Sequence, residues 1–520
     1  MLDDAVAAFL ESVPERAFDE PFMALLRAEG YTHVSLCHGQ TEYGKDIVAR
    51  RNGTQWAFQS KAGNIKQRAW SQLTGQLNEL RLSDLAGPEF DSSLPRRPVL
   101  VTTGRLVGGA PLLATEYQRK AEERGEVGLE VWNRDTLLSR LSANPDAVLR
   151  GSIDGGLMTM LGAIAEQEVS MNSVEQFARR WDGFPAGHLG GRGVIEASIV
   201  CSHLHQASRL DLACHLALCL VRGAWANDQA TKEAELTADA AGLLFDAYAR
   251  ELWDACDDSL LKKRGVLAHC GFSAWATYPV VCIRLAEVLG LLAIRAALTG
   301  ESDADEIADW LAKFVYAQPG VAHHLGDRFA VSIVPPLLVL QRSKPRAAKK
   351  LLAKATVWLC NQYERGGAGI ASWTASPADE IERVFGHFFD HIRLRGKRTT
   401  SHVASVACDM AALCGYRKLY ADIRNDHLAV ELVPVVLRCP DQPDQYTMLG
   451  EANRWEHNPD YPDELPRNGR LGPPHHNELD APRHLVREGR AWDLLAVSSS
   501  LRDRHFVDAI EAVRLALDEM

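Results

Sequence analysis

No two cysteines in this chain stand as a CxxC pair, and no apolar run is long enough to span a bilayer. The first absence argues against a zinc site. The second argues against membrane insertion. The eleven cysteines are scattered, and Cys214, Cys219 and Cys282 lie in apolar helical stretches. They read as reduced core residues, which points to the cytoplasm rather than a disulfide-forming compartment. The start, Met1-Leu2-Asp3-Asp4, lacks the basic residues of a secretory signal. A Walker-type phosphate loop is missing too: Gly396-Lys397 has neither the upstream glycine nor the following Ser or Thr. Positive charge is in deficit, with a net charge of −11. That argues against non-specific nucleic-acid binding over the whole surface, but a local basic groove is compatible with it.

What is present is a soluble-type composition, 46% hydrophobic and 24% charged, over 520 residues, enough for two to four domains. The most informative stretch runs from Thr41 to Lys61, TEYGKDIVARRNGTQWAFQSK. Tyr43-Gly44-Lys45 opens it, and Gly44 permits a sharp turn. Asp46 to Arg50 reads as a strand. Arg51-Asn52-Gly53-Thr54 reads as a hairpin, because Asn-Gly takes the positive φ values of a type I′ turn. Gln55 to Lys61 reads as the return strand. Alternation along it puts Gln59 and Lys61 on one face, where they can converge with Asp46 across the hairpin. An acid, an amide oxygen and a lysine at one spot can hold a hard cation and steady an attacking water and a charged phosphate.

This stretch resembles the PD-(D/E)XK nuclease superfamily, and within it the Mrr-like restriction endonucleases, in the form Asp46…Gln59-Ser60-Lys61. The likeness extends over roughly residues 10–145. Phe18-Asp19 and Leu25-Leu26…Gly30-Tyr31 are similar to the family's first helix. Pro98 to Gly104 is similar to its third core strand, and Val127 to Leu137 to its last strand and following helix. The family usually has Glu after the Phe, whereas here Asp19 is followed by Glu20. The resemblance implies a Mg²⁺- or Mn²⁺-dependent endonuclease. Asp46 and Gln59 would bind the metal, Lys61 would be catalytic, and Asp19 or Glu20 would complete the site. Because Gln59 is neutral, the site would carry one negative charge fewer than a D…ExK site and bind metal more weakly.

In chain order, residues 3–13 and 15–29 read as helices, with Pro21 in the opening turn of the second and Gly30 as its C-cap. Tyr31 to Leu36 reads as a strand leading towards His38, either a loop histidine or a base near the site. A helix through Leu73, Leu77 and Leu80 follows, then the Val99–Thr102 strand and the Leu112–Arg124 helix. Strands alternating with helices predict an α/β restriction-endonuclease-like domain, a mixed sheet flanked by helices, over residues 1–150. Lys45, Lys66 and Arg68 lie near the expected site and are candidate nucleic-acid contacts.

Residues 151–193 read as a helical connector ending in a glycine-rich linker, Gly183 to Gly193. Residues 194–520 read as a large, mainly α-helical region, either a solenoid or a bundle, with no fixed repeat. Nine of the twelve tryptophans lie beyond residue 180 and read as core anchors. Two basic clusters stand out: Arg342, Lys344, Arg346, Lys349, Lys350 and Lys354, and then Arg393, Arg395, Lys397 and Arg398. Each is either a solvated surface or a guide for a nucleic-acid strand or acidic partner. His475, His476 and His484 sit in a Pro- and Asp-rich stretch and read as polar surface rather than metal ligands. The sequence thus predicts a nuclease acting on nucleic acid, DNA favoured over RNA. Its role would be that of an effector in bacterial restriction or anti-phage defence. The helical region would recognise a trigger, a protein partner, another copy or the substrate. A catalytically silent scaffold and a repair or junction nuclease are the alternatives.

Overall fold

The computed structural model describes residues 6–7, 10–11, 13, 15–37, 44–84, 90–144, 155–184, 189–226, 231–263, 265–270, 274–364, 368–386, 396–438, 455–466, 485, 489–505 and 507–519. They belong to two compact units. The first comprises 1–207 with 231–240, the second 208–230 with 241–520.

The first unit is built on a mixed five-stranded sheet. Its elements run α1 (Glu15–Ala28), β1 (Thr32–Leu36), β2 (Ile47–Arg51), β3 (Thr54–Lys61), α2 (Gln67–Leu82), β4 (Arg96–Thr102), α3 (Ala110–Glu123), β5 (Glu130–Trp132) and α4 (Arg134–Ala143). The sheet order follows the sequence. The pairs β1–β2 and β2–β3 are antiparallel, and β3–β4 and β4–β5 are parallel. The Asn-Gly turn forms as its chemistry requires, with φ of 50° at Asn52 and 70° at Gly53. Gly30 ends α1 at φ 84°. Pro21 lies inside α1 rather than in its opening turn. The helix runs through it and forgoes the bond a proline nitrogen cannot donate.

Strand alternation divides the core into two layers. Ile47, Ala49, Trp56, Phe58, Val99 and Val101 face α1 and α4, packing with Phe18, Phe22, Leu25 and Leu137. Ala57 and Leu100 face the other way, towards Trp70, Leu73, Leu77 and Leu80 of α2 and Ala110 of α3. The helices therefore cover both faces of the sheet. Phe58 meets Phe22 edge-to-face, with ring centroids 5.2 Å apart. Each such large side chain, fully buried, contributes roughly 1.5–3 kcal/mol.

The helical connector expected over 151–193 falls within the first unit. The helices α5 (Gly155–Ala165), α6 (Met171–Ala178) and α7 (Val194–Gln206) follow the sheet elements. Ile195 and Ile199 of α7 enter the α1-facing core, with Leu161 of α5 packed against it. The described part of the glycine-rich stretch is also ordered. Leu189–Gly193 is a helical turn continuing into α7. Buried Glu196 organises it, accepting from Arg180 at 2.9 Å, Arg192 at 2.7 Å and Trp181 Nε1 at 3.0 Å.

The second unit is mainly helical. It contains α8 (Leu210–Trp225), part of α9 (Lys232–Asp254), α10 (Ala274–Thr299), α11 (Ala304–Ala317), α12 (Val334–Ser343), α13 (Pro345–Glu364), α14 (Pro377–Phe385), α15 (His402–Leu413), α16 (Arg417–Ala429), α17 (Ala491–Leu501) and α18 (Val507–Glu519). The apolar α10 is central and packs against α11, α12 and α17. α8 packs on α17, far away in sequence. Such distant pairing makes this a bundle, because a solenoid repeat touches only its neighbours. Trp225 and Trp492 are buried core anchors, and Trp492 Nε1 donates to Leu291 O at 3.2 Å. Two short strand pairs, 400–401 with 433–434 and 436–438 with 455–457, were not expected from the sequence. The cysteines at 201, 214, 219, 282 and 408 are buried and unbonded to one another. Among the described residues no helix is long and apolar enough to cross a membrane.

Candidate active site

The β2–β3 hairpin brings Asp46 and Gln59 together. Asp46 stands one residue before β2, held by its amide to Phe58 O and by its carbonyl to the Cys37 amide, both at 2.8 Å. Its Oδ2 accepts from Gln59 Nε2 at 2.6 Å and from the Ser60 amide at 2.6 Å. Both bonds are charge-assisted, hence short. Gln59 is buried and Lys61 half-buried at the end of β3. By alternation both project on the α2–α3 side, the side on which Ala57 packs.

Ser60 projects to the opposite side, with Phe58. There its Oγ donates to Asp19 Oδ1 of α1 at 3.2 Å. Asp19 is buried. It therefore joins the site through Ser60, from behind the strand, and not on the face shared by Gln59 and Lys61. The side chain of Glu20, and all of Tyr43 and His38, lie outside the described residues.

The loops after β3 and β4 are joined at the carboxyl ends of these parallel strands. Thr102 Oγ1 donates to Gly63 O at 2.7 Å, Gly63 N donates to Thr103 Oγ1 at 2.9 Å, and Arg105 N donates to Asn64 Oδ1 at 2.8 Å. Gly104 allows this approach, since a Cβ there would sit 2.3 Å from the Gly63 carbonyl carbon. The stitched loop delivers the start of α2 just beyond Lys61. Lys66 and Arg68 are exposed at that start, and the first turn carries no acid. Open helix amides and two cations make it favourable for an anion. Arg105, also exposed, is engaged by Asp135 at 2.6 Å.

Lys45 is a correction. Gly44, at φ 69°, passes so close beneath α2 that a Cβ would meet Gln76 O at 2.3 Å. The next side chain is therefore driven under the helix. Lys45 is fully buried and its Nζ donates to Glu79 O at 2.9 Å. Burial foremost, with Arg96 nearby, pulls its pKa down to about 8. It packs the interior and does not reach a phosphate.

Arg398 is a second correction. It bonds Asp327 Oδ2 at 2.5 Å and Glu456 Oε1 at 2.7 Å. Burial, the largest single influence, opposes its charge, but Asp327, Tyr363 and Glu456 together outweigh it and hold its pKa above the ordinary value. The other oxygen of Asp327 accepts from Ser401 Oγ and the His402 amide, both at 2.8 Å, at the start of α15. Arg398 thus ties a helix end in place. Lys397 is exposed, while Arg393 and Arg395 lie outside the described residues, as do His475, His476 and His484. In the other basic cluster, Lys344 pairs with Asp309, Lys354 donates to Val315 O at 2.8 Å, and Lys349 and Lys350 lie over the rings of Tyr416 and Tyr316. The second unit also holds a cavity of about 460 Å³, bordered by Ser372, Thr374, Asp379, Glu382, Arg383 and Arg398.

Sequence reading missed Ser60 and the Thr102–Thr103 pair. The signal for Ser60 was its position between Gln59 and Lys61, which turns it towards α1. The threonine hydroxyls carried no signal, because their partners come from a different loop.

The donors around Asp46 suit a hard divalent cation of the kind the motif implies. Asp46 offers a carboxylate and Gln59 an amide oxygen once the amide turns from its present bond. Among the described residues no group of three or more His, Cys, Asp or Glu could hold an ion. Mg²⁺ fits such a sparse set, since it retains waters and takes further oxygens from phosphate. No family model matches the chain, and neither a curated protein nor a solved structure does.

Proposed function

We propose that the first unit is a restriction-endonuclease-like, Mrr-type PD-(D/E)XK domain and that the chain is a Mg²⁺-dependent endonuclease, with DNA its favoured substrate over RNA. The observation that carries this reading is the convergence of Asp46 and Gln59 at 2.6 Å across the hairpin, with Lys61 one alternation further along β3. The helix–three-strand–helix–strand order and the antiparallel-then-parallel sheet support it.

In this mechanism Asp46 and Gln59 would hold the cation, which would supply Lewis-acid chemistry at the phosphate. Lys61 lies within reach of the same face and stabilises the attacking oxygen and the phosphoryl charge. Lys66, Arg68 and the amides of the α2 start position the backbone phosphate. The helical unit, with a polar cavity of its own, suits recognition of a trigger, a protein partner or another copy. That division of labour fits a cytoplasmic effector of restriction or anti-phage defence, an analogy from fused nucleases. A repair or junction nuclease would use the same site.

A catalytically silent scaffold is the second reading. The same 2.6 Å bond favours it, because Gln59 satisfies Asp46 without a cation. The two readings separate in a cleavage assay of the full chain on DNA and RNA with Mg²⁺ or Mn²⁺, beside Asp46→Ala and Lys61→Ala. Metal-dependent cutting lost in both variants supports the nuclease. Wild-type cutting in either variant, or none in the parent, overturns it.

A further inference from the structure

Ser60 is the one residue of the Gln59-Ser60-Lys61 triplet with no chemistry of its own, yet it makes two bonds of opposite direction. Its amide donates to Asp46 Oδ2 at 2.6 Å, on the side where Gln59 reaches the same oxygen. Its hydroxyl donates to Asp19 Oδ1 at 3.2 Å, on the α1 side. Ser60 and Asp19 are both buried, so neither bond competes with bulk water. The backbone on which Ser60 sits is paired with β4, Ser60 opposite Val101. α1 is fixed to the same face by Phe18 and Phe22 against Phe58 and Trp132. Asp19 therefore pulls on Ser60 from a rigid base.

We propose that Ser60 is a positioning residue, and that the Asp19–Ser60 bond sets the orientation in which Asp46 is presented to a divalent cation. The proposal rests on the nuclease reading of Asp46, and it gives the acid of α1 a role other than that of a metal ligand. The carboxylate of Asp46 hangs from the Ser60 amide. A small rotation of that peptide moves Oδ2 and with it the direction in which the carboxylate offers its remaining electron pairs. The hydroxyl–Asp19 bond resists that rotation. Outer partners that orient a ligand in this way typically alter metal affinity by about 10–100-fold when removed.

The test uses the full chain and Mn²⁺ alone, with binding read by electron paramagnetic resonance in the absence of nucleic acid. Thermal melts run alongside. Ser60→Ala keeps the amide and loses the hydroxyl, and Asp19→Ala loses its acceptor. Each should weaken Mn²⁺ binding about tenfold. Ser60→Thr, which restores a hydroxyl, and Asp19→Asn, which keeps an acceptor oxygen, should each recover most of the loss. The Ser60→Ala/Asp19→Ala double variant should bind no more weakly than either single variant, because both break one bond. Unchanged Mn²⁺ affinity in Ser60→Ala, while Asp46→Asn abolishes binding, overturns the positioning role and leaves the metal site standing. Additive losses in the double variant overturn it as well. A parent whose Mn²⁺ binding is indifferent to Asp46→Asn removes the metal site, and the positioning proposal falls with it.

Discussion

The side-chain nitrogen of Gln59 donates to Asp46 Oδ2 at 2.6 Å, so the residue expected to lend an oxygen to a cation presents its nitrogen to the neighbouring acid. In the proposed metal site a cation would have to displace this contact. Turning the amide would exchange one hydrogen bond for one coordination bond, so loading would bring only a small net gain.

Gln59→Glu should change that balance in both directions. Two carboxylates then face each other, and the metal-free chain should lose about 1 kcal/mol of stability as an attractive bond becomes a repulsive pair. The same pair should tighten the cation, lowering the Mg²⁺ concentration for half-maximal cleavage by about tenfold. A magnesium titration of cleavage and a urea melt in EDTA read the two effects. An unchanged or higher Mg²⁺ requirement with unchanged stability would mean that Gln59 does not face the metal.

Lys45 gives a pH signature. Its folded pKa, about 8, lies below the ordinary lysine value of 10.5. Below about pH 8 the amine is charged in both states, and the cost of burying that charge is fully present. From about 8 to 10.5 the unfolded chain binds more protons, so stability rises with pH. Compared with Lys45→Met, the parent should gain up to about 3 kcal/mol between pH 7 and pH 10.5. Urea denaturation of both proteins across that range checks it. Neutralising Lys45 should leave nucleic-acid affinity and its salt dependence unchanged.

The basic residues should separate by mechanism. Lys66→Ala with Arg68→Ala should reduce the slope of log affinity against log salt by about two for duplex DNA, roughly 0.9 per phosphate contact. Arg398→Ala should instead strand buried Asp327 and cost about 3–5 kcal/mol of stability. Fluorescence anisotropy over a salt series, with parallel melts, distinguishes a phosphate contact from an internal tie.

Domain boundaries carry a further expectation. Ile195 and Ile199 are buried in the core beside α1, at 6% and 4% exposure. A chain cut after residue 150 leaves that face bare. It should be less stable than a chain ending at 207 by about 3 kcal/mol or more, the worth of two buried isoleucines. Equal urea midpoints would show that α7 adds nothing to the sheet.

The local elements were legible because their causes are local. Asn52-Gly53 can turn in a way few dipeptides can, and the alternation from Gln55 to Lys61 follows from the pleat. Together they placed Asp46 opposite Gln59 before any packing was considered. Helical spacing told in the same local way which face of the helix through Leu73, Leu77 and Leu80 would be covered. Burial of Lys45 could not be read in this way. A lysine beside a glycine turn looks exposed until α2, from a later part of the chain, closes over it. Arg398 looked like part of a basic patch because its partners Asp327 and Glu456 lie far away in sequence. The glycine-rich stretch read as a linker because nothing near it announced that Glu196 would gather Arg180, Arg192 and Trp181. Ser60 acquired a role only when α1 set Asp19 behind it. The conformation of the Asn52-Gly53 turn and the faces of its two strands depend on neighbours in the chain and were determined by the sequence alone. Whether a charge meets water or a partner depends on which distant segment packs over it, and that was decided by the tertiary structure.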